Sequence, residues 1–261
     1  MGAIPLEKGI EYPTSDGQPM AETTHHQTNM IDLILGLRGR YAAVPDVWVG
    51  GNLFLYYEKG NPAAVLAPDV LLARGVEKWA RPNYLLWDEV PPSLVIEVTS
   101  RSTRREDQKK KRDIYERIGV EVYVFFDPFR EYLRPPLQGL RLQDGRYQPI
   151  PLEPDGGLVL QTLSIKLLPE GDRLRIIDVA TGECLPWPDE EKAVSAEAQA
   201  RAARESRARQ EAEAKAAEES RARQEAEAKA ARELRARQEA EARARALEEE
   251  LIRLRSGQSP S

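Results

Sequence analysis

A short, strongly apolar segment of the chain contains a single carboxylate. Residues 94–98 have the sequence LVIEV, between Pro91-Pro92 and Ser100. A run this apolar is typical of a strand that is buried on both faces of a sheet. Glu97 interrupts the run, and a carboxylate in a buried strand is costly unless it is paired or binds a cation. Glu97 is therefore the first candidate for a functional residue.

A helix is predicted directly after this strand. Thr103 and Glu106 have the spacing of a capping box, which marks a helix start. Gly119 marks the end, so the helix should run to about Ile118. The chain therefore passes from a buried strand straight into a capped helix.

The basic residues of this helix fall on different faces. At about 100° per residue, Lys111 lies on the face that packs on the sheet. That face also holds Asp107, Ile114, Tyr115 and Ile118. Lys109 points away from it and Lys110 lies near its edge. The helix should therefore direct Lys111 toward the end of the strand that carries Glu97.

The N-terminal region contains one predicted helix, from Thr24 to about Leu37, with Thr23 or Thr24 as the N-cap. Its apolar stripe consists of Met30, Ile31, Leu33, Ile34 and Leu37. His25 and His26 would lie in the first turn, close to Glu22. Adjacent helical side chains point roughly 100° apart, so the two histidines cannot share one metal ion. His26 is either a hydrogen-bonding group near an active site or a structural or solvent-facing histidine.

Two strand-like segments, residues 47–57 and 64–73, are joined by a turn at residues 58–62. Pro68-Asp69 stands where the second segment becomes continuously apolar, a place where proline suits a strand start or a bulge. Alone, Asp69 would be read as a turn residue. On a strand next to the one that carries Glu97, it becomes half of a metal site.

The chemistry of this pair of carboxylates favours a hard divalent cation. Two carboxylates close together in an apolar sheet repel each other unless a cation neutralises both. Carboxylate oxygens and water suit Mg²⁺ or Mn²⁺. Such an ion beside a lysine can polarise a phosphoryl oxygen and lower the pKa of a bound water. The predicted catalytic residues for phosphodiester hydrolysis are thus Asp69, Glu97 and Lys111.

The remainder of the first 190 residues continues as short strands. Asp144-Gly145 separates two alternating segments and predicts a β-hairpin. Further strands are predicted within residues 158–168 and 174–185, where they would extend or cover the sheet.

From about Ala193 the sequence becomes a repeat of 14 residues rich in Ala, Glu, Arg, Lys and Gln. Propensity and Glu–Arg spacing predict a helix. A heptad seam is formed by Leu247, Leu251 and Leu254, but alternate heptads before it are charged. The helix either stands alone or pairs through the leucines. The expected organisation is a domain over residues 1–190, a helical or coiled-coil arm over 191–256 and a disordered tail over 257–261.

The formal net charge of −5 conceals a local basic cluster. Residues 191–261 carry 16 Lys+Arg and 15 Asp+Glu, which leaves 22 against 28 in residues 1–190. Within that acidic part, seven cations lie close together, and local fields matter more for binding than net charge. They are Arg101, Arg104, Arg105, Lys109, Lys110, Lys111 and Arg112. The cluster is either a solvated helix face or a phosphate-binding surface.

Other classes of protein are disfavoured by composition. The single cysteine, Cys184, excludes internal disulfides and indicates no thiolate metal site. The N-terminal segment has no apolar signal region, and no stretch approaches about 18 apolar residues. A soluble cytoplasmic protein without membrane association is expected.

The order of these motifs resembles the Uma-two family, which belongs to the PD-(D/E)XK superfamily of nucleases. The matching motifs are Pro68-Asp69, EVTS at 97–100, STRR-x-D at 102–107 with Lys111 and Tyr115, and FDP at 126–128. MAET at 20–23 with His26, GNLFLYYEKGNP at 51–62 and YLRPPLQG at 132–139 resemble one subgroup. The resemblance covers roughly residues 10–185.

The resemblance implies a restriction-endonuclease-like α/β fold, a mixed sheet flanked by helices. It implies that Asp69 and Glu97 bind Mg²⁺ or Mn²⁺ and that Lys111, Glu22 and His26 belong to the catalytic site. The superfamily pattern Glu-x-Lys is broken here, because Thr99 stands where the lysine is expected. The family then takes its lysine from the following helix, where the helical wheel selects Lys111.

Three functions are compatible with these features. The first is metal-dependent DNA hydrolysis by a homodimer, with Arg104, Arg105, Lys109 and Lys110 on DNA phosphates. The second is a catalytically inactive nucleic-acid binder on the same fold. The third is an interaction adaptor whose functional element is the helical arm. Cleavage needs both carboxylates and a cation, binding needs only the basic cluster, and an adaptor needs neither.

Overall fold

A computed structural model describes residues 11–14, 23–100, 106–255 and 257, and it has the mixed α/β architecture that the sequence predicts. Its regular elements in chain order are α1 (Thr24–Arg40), β1 (Val47–Gly50), β2 (Leu55–Tyr56), β3 (Val65–Leu66), β4 (Val70–Arg74), β5 (Tyr84–Leu85), β6 (Leu94–Val98), a π-helical turn (Glu106–Lys111), α2 (Arg112–Ile118), β7 (Val122–Phe126), β8 (Leu137–Gln143), β9 (Arg146–Pro149), β10 (Leu158–Leu160), a 3₁₀ turn (Gln161–Leu163), β11 (Ile165–Glu170), β12 (Arg173–Asp178) and α3 (Pro188–Arg255).

The main sheet has six strands in the order β1-β4-β6-β7-β8-β9. β6 and β7 run parallel, and the other neighbours in this sheet are antiparallel. A parallel pair needs a crossover connection, which the π-helical turn and α2 supply. All residues of β6 and β7 are buried, as the apolar run at 94–98 predicts. Glu97 therefore lies on an inner strand of the main sheet, near the C-terminal end of that strand.

Both faces of the main sheet are covered by apolar side chains. On one face, α1 and the small sheet β10-β11-β12 pack against residues such as Leu72, Ile96 and Val124. On the other face, α2 packs through Tyr115 against Val95 and Tyr123. The sheet is thus sandwiched between α1 and α2, and the residues just beyond its strands can be held from both sides.

The start of α1 and the end of α2 agree with the sequence, but α1 continues to Arg40, beyond the predicted end at about Leu37. The Thr23 side chain caps α1 by accepting from the His26 N–H, and Gly119 ends α2 with a φ of 86°. Gly is suited to this left-handed C-cap conformation. Ile31, expected on the buried stripe of α1, is 48% exposed. The proposed cap at Thr103 lies outside the described residues.

The two long strand segments predicted at 47–57 and 64–73 are each divided in two. β1 pairs with β4 in the main sheet, whereas β2 pairs with β3 in the small sheet β3-β2-β5. The first segment breaks at Gly51 and Asn52, where Asn52 has a φ of 52°.

The predicted hairpin is present, since Asp144 and Gly145, both with positive φ, join β8 to β9.

The C-terminal repeat forms the helix α3, whose residues from Ala193 onward are all exposed. By contacts the chain divides into two units, Met1–Lys192 and Ala193–Ser261. Of the tail predicted at 257–261, only Gly257 is described.

Among the described helices, none combines the length and apolarity that crossing a bilayer requires.

Candidate active site at the end of β6

Asp69 and Glu97 lie side by side at one end of the main sheet. Val70 of β4 pairs with Ile96 of β6, and continuing this antiparallel register by one residue brings Asp69 opposite Glu97. The backbone N–H of Val98 donates to Asp69 Oδ2 at 2.7 Å, which ties the aspartate to β6. The two carboxylates predicted to enter neighbouring strands from the same edge therefore do so.

Glu97 is held by two residues of the crossover helix. Its side chain is 1% exposed. Tyr115 donates its hydroxyl to Oε1 at 2.8 Å, and Lys111 Nζ lies 2.9 Å from Oε2. Burial raises the pKa of Tyr115 well above its usual value, and the neighbouring Glu97 charge raises it further. Tyr115 therefore remains a neutral donor that fixes the orientation of the Glu97 carboxylate.

Asp69 is held from the other side of the sheet by α1. His26 Nε2 lies 3.0 Å from Asp69 Oδ1, and the His26 side chain is 8% exposed. His25 points elsewhere, with Nδ1 at 2.6 Å from Asp172 Oδ2 and its ring in edge contact with the ring of Phe129. Of the alternatives for His26, the solvent-facing one is therefore wrong. His26 is a buried side chain whose Nε2 contacts an Asp69 oxygen.

The position of Lys111 follows from a change in helix type. The segment Glu106–Lys111 is a π-helical turn, a rare geometry that is frequent at functional sites. Lys111 is the last residue of that turn and immediately precedes α2, so its α-helical spacing to Tyr115 is retained. Both side chains consequently reach the same Glu97 carboxylate. The α-helical spacing used in the sequence prediction therefore applies to Lys111 and Tyr115. Asp107, which was predicted on the same face, lies in the π-helical turn, and its side chain is not described.

The remaining predicted site residues are only partly described. Lys109 and Lys110 are exposed at the end of the π-helical turn. Glu22, Arg104 and Arg105 lie outside the described residues, so their predicted places in the site remain predictions. Tyr115 contacts Glu97 directly, whereas the sequence placed it on the sheet-packing face of the helix and among the family motifs without a role in the site. The signal in the sequence was that Tyr115 follows Lys111 by four positions, which places both side chains on one face of a helix.

The residues at this site fit a hydrated Mg²⁺ or Mn²⁺ ion. In the described part of the chain, no group of three or more His, Cys, Asp or Glu side chains is placed to hold a metal. Mg²⁺, however, keeps several waters and is usually bound by only one or two carboxylates. The Thr99 hydroxyl, two residues after Glu97, is buried and has no hydrogen-bond partner among the described residues. Buried hydroxyl groups are usually hydrogen-bonded, so the Thr99 hydroxyl is placed to bind a water molecule or a ligand.

The fold and these contacts together define an α/β protein in which a buried carboxylate, a partly buried carboxylate and a lysine meet at the end of the central strands. The family model Uma2, described as a putative restriction endonuclease, matches residues 3–170. The chain belongs to this family.

One of several solved structures that match this chain can be compared directly. It is described as the crystal structure of a putative nuclease belonging to DUF820 from Anabaena variabilis. The two share 14% identity with a TM-score of 0.42, over 61% of this chain and 86% of that one. A search of the curated proteins finds no match.

Proposed function

We propose that the protein is a metal-dependent endonuclease that hydrolyses phosphodiester bonds in DNA. The observation that carries this proposal is the contact of Lys111 Nζ with Glu97 Oε2 at 2.9 Å, beside Asp69 on the neighbouring strand. Two carboxylates and an ammonium in a largely buried position are costly to bring together. The model of the family to which the chain belongs is described as a putative restriction endonuclease, which supports a catalytic role for these three groups.

In this proposal Asp69 and Glu97 hold Mg²⁺ or Mn²⁺ through their oxygens. When bound, the ion polarises a phosphoryl oxygen and lowers the pKa of a water molecule. Tyr115 and the Val98 N–H fix the two carboxylates, so little reorganisation is required when DNA binds. His26 acts through Asp69 and is a positioning residue.

Lys111 stabilises the charge that develops on the scissile phosphate. An ammonium carries three N–H donors, so contact with Glu97 does not prevent a second contact with a phosphate oxygen. Its side chain is 12% exposed, and a charge in such a position acts more strongly than in water. Thr99 cannot supply this charge, but its buried hydroxyl can donate to water in the site.

The DNA itself is proposed to lie against the basic cluster. Lys109 and Lys110 are exposed beside Lys111, and Arg104 and Arg105 precede them in the sequence. Cations next to a hydrolytic site would bind the phosphates on either side of the scissile bond. These contacts position DNA without reading its sequence.

A homodimer is proposed because one site of this kind cuts one strand. The residues available for pairing on α3 are Leu247, Leu251 and Leu254, which are 60%, 58% and 73% exposed. They follow the heptad spacing of a two-stranded seam. A second copy of the chain would cover them and provide the second active site.

The second candidate is a catalytically inactive nucleic-acid binder on the same fold. The observation that favours it is that Thr99 occupies the strand position where the superfamily has its lysine. Without catalysis, the Lys111–Glu97 pair would be only a structural ion pair. This candidate requires the basic cluster but neither metal binding nor cleavage.

The deciding experiment combines metal binding with cleavage. Calorimetry should detect Mn²⁺ binding by the parent and its loss in Asp69→Asn and Glu97→Gln. The amide variants keep the side-chain shape, whereas Glu97→Ala would remove the acceptor of the buried Tyr115 hydroxyl. Plasmid and linear DNA should be cleaved with Mg²⁺ or Mn²⁺ and not with EDTA. Unchanged Mn²⁺ binding in Glu97→Gln would mean that the site is elsewhere.

A further inference from the structure

A second cleft lies at the edge of the main sheet, along β1. It has a volume of about 320 Å³, within the range of small-molecule sites. Its walls are formed by two indoles, a phenol ring and two cations, namely Trp48, Trp79, Tyr41, Arg38 and Lys78. None of these residues contributes to the site around Glu97.

The two indoles are held at fixed positions by a buried arginine. The guanidinium carbon of Arg81 lies 4.9 Å from the ring centroid of Trp48 and 4.6 Å from that of Trp79. Arg81 is itself anchored by Glu89 at 2.6 Å, and its side chain is 1% exposed. Trp79 nevertheless remains 45% exposed. The stack therefore presents an aromatic surface that is rigid and open to solvent.

The two cations of the cleft lack acidic partners in the described part of the chain. Arg38 donates to the Val49 carbonyl at 3.0 Å. Lys78 donates to the carbonyls of Tyr41 and Ala42 at 2.7 and 2.9 Å. These carbonyl groups orient the side chains without cancelling their charge. The cleft thus combines stacking surface with two positioned positive charges.

We propose that this cleft binds one nucleotide of a single DNA strand, with the base stacked on Trp79 and the phosphate between Arg38 and Lys78. Aromatic platforms beside cations are the general means of holding single strands, and stacking tolerates any base. A base in a duplex does not offer its face, so the ligand is an unpaired nucleotide. A small inorganic anion would leave the indole without a role.

The position of the cleft connects it with the proposed cleavage site. Trp48 lies three residues before Gly51, which corresponds to roughly 10 Å along an extended strand. Gly51 in turn packs directly on the backbone of Asp69. The inference rests on the proposed function, since the nucleotide in the cleft would belong to the DNA strand that reaches Asp69 and Glu97.

Binding can be tested without catalysis by fluorescence polarisation in EDTA. The probe is a labelled oligo(dT) of about ten nucleotides, comparable to the site size of single-strand binders. Trp79→Ala should weaken its binding about tenfold or more, whereas Trp79→Phe should retain most of it. Arg38→Ala with Lys78→Ala should also weaken binding. The matched control is Arg207→Ala with Lys215→Ala, which removes two cations from α3. Circular dichroism checks that each variant is folded.

The outcomes separate this inference from the proposed function. If the parent cleaves DNA but Trp79→Ala and the Arg38/Lys78 double variant bind oligo(dT) as the parent does, the cleft inference is overturned and the nuclease stands. A parent that does not bind oligo(dT) also overturns it, and a protein segment would then be the better occupant. If binding depends on Trp79 but no DNA is cleaved with any metal, the nuclease proposal fails and the cleft stands.

Discussion

Gly51 and Asp69 meet so closely that no side chain fits between them. An ideal Cβ at Gly51 would lie 1.9 Å from the carbonyl oxygen of Asp69. The contact is fixed by the Asn52 N–H, which donates to the Pro68 carbonyl at 2.8 Å. The same point is where each of the two predicted long strands divides. The glycine that interrupts the strand therefore also sets the position of a proposed metal ligand.

We predict that Gly51→Ala will displace Asp69 and weaken Mn²⁺ binding at least tenfold, measured by calorimetry. Overpacking of this kind should also cost about 1–3 kcal/mol of stability. Gly39→Ala in α1 is the matched control, because a Cβ there meets nothing within 4 Å. That variant should leave metal binding unchanged and stabilise the helix by up to about 1 kcal/mol. Parent-like Mn²⁺ affinity in Gly51→Ala would contradict the assignment of Asp69.

We predict that duplex DNA binding will weaken steeply with salt. Each phosphate contact should contribute about 0.9 log unit of affinity per log unit of salt. Lys109→Ala, which removes one exposed cation of the basic cluster, should reduce the slope by about one contact. Titrations at several salt concentrations in EDTA measure this directly. A flat dependence would remove DNA as the ligand and favour the adaptor function.

We predict a loss of stability in acid that originates at the start of α3. Arg173 holds the pKa of Asp189 at about 2, and Arg175 holds that of Glu190 at about 2, against 3.8 and 4.5 ordinarily. Because both pKa values are lowered in the folded state, their stabilisation is complete above about pH 5 and disappears as the pH falls toward 2.

The measurement is thermal unfolding of the parent and of Asp189→Asn with Glu190→Gln between pH 2 and 7. Above about pH 5 the parent should have the higher Tm, and the difference should vanish near pH 2. Both guanidinium groups also stack on Trp187, with Arg175 at 3.4 Å from the ring centroid. That stacking is not titratable, so it should persist in both proteins. A Tm difference independent of pH would contradict the ion-pair account.

We predict that α3 promotes self-association. Removing residues 193–261 leaves the compact unit Met1–Lys192 and should yield a folded monomer. Sedimentation of the full chain and of this truncation tests the prediction, with Leu247→Glu and Leu251→Glu as a variant that removes only the seam. If the full chain is already monomeric at high concentration, α3 is a solitary helix or binds another partner.

The central part of the fold was predictable because it depends on local periodicity. The apolar run at 94–98, the helix ending before Gly119 and the hairpin at Asp144-Gly145 each follow from residues close in sequence. Lys111 precedes α2, and its position on the same side as Tyr115 follows from the α-helical spacing between the two residues. These are short-range relationships, and they place Lys111 against Glu97 without knowledge of the tertiary structure.

Other features depend on contacts between distant segments and were missed or left open. His26 reaches Asp69 across 43 positions, and no local pattern signals that approach. The division of residues 47–57 into β1 and β2 arises from the packing of Gly51 on Asp69. The π-helical turn before α2 also has no clear sequence signature, since all of its residues except Asp107 are strong helix formers.

The most direct test of the proposed mechanism is the single-turnover rate of DNA cleavage by Lys111→Ala and Lys109→Ala. Lys111→Ala should slow the chemical step by about a hundredfold or more, with DNA and metal binding nearly unchanged. Lys109→Ala, whose side chain is exposed, should affect only affinity. Thr99→Lys in the Lys111→Ala background should recover part of the rate, because the new ammonium starts from β6 beside the same carboxylates. Parent-like cleavage by Lys111→Ala together with an inactive Lys110→Ala would contradict the account.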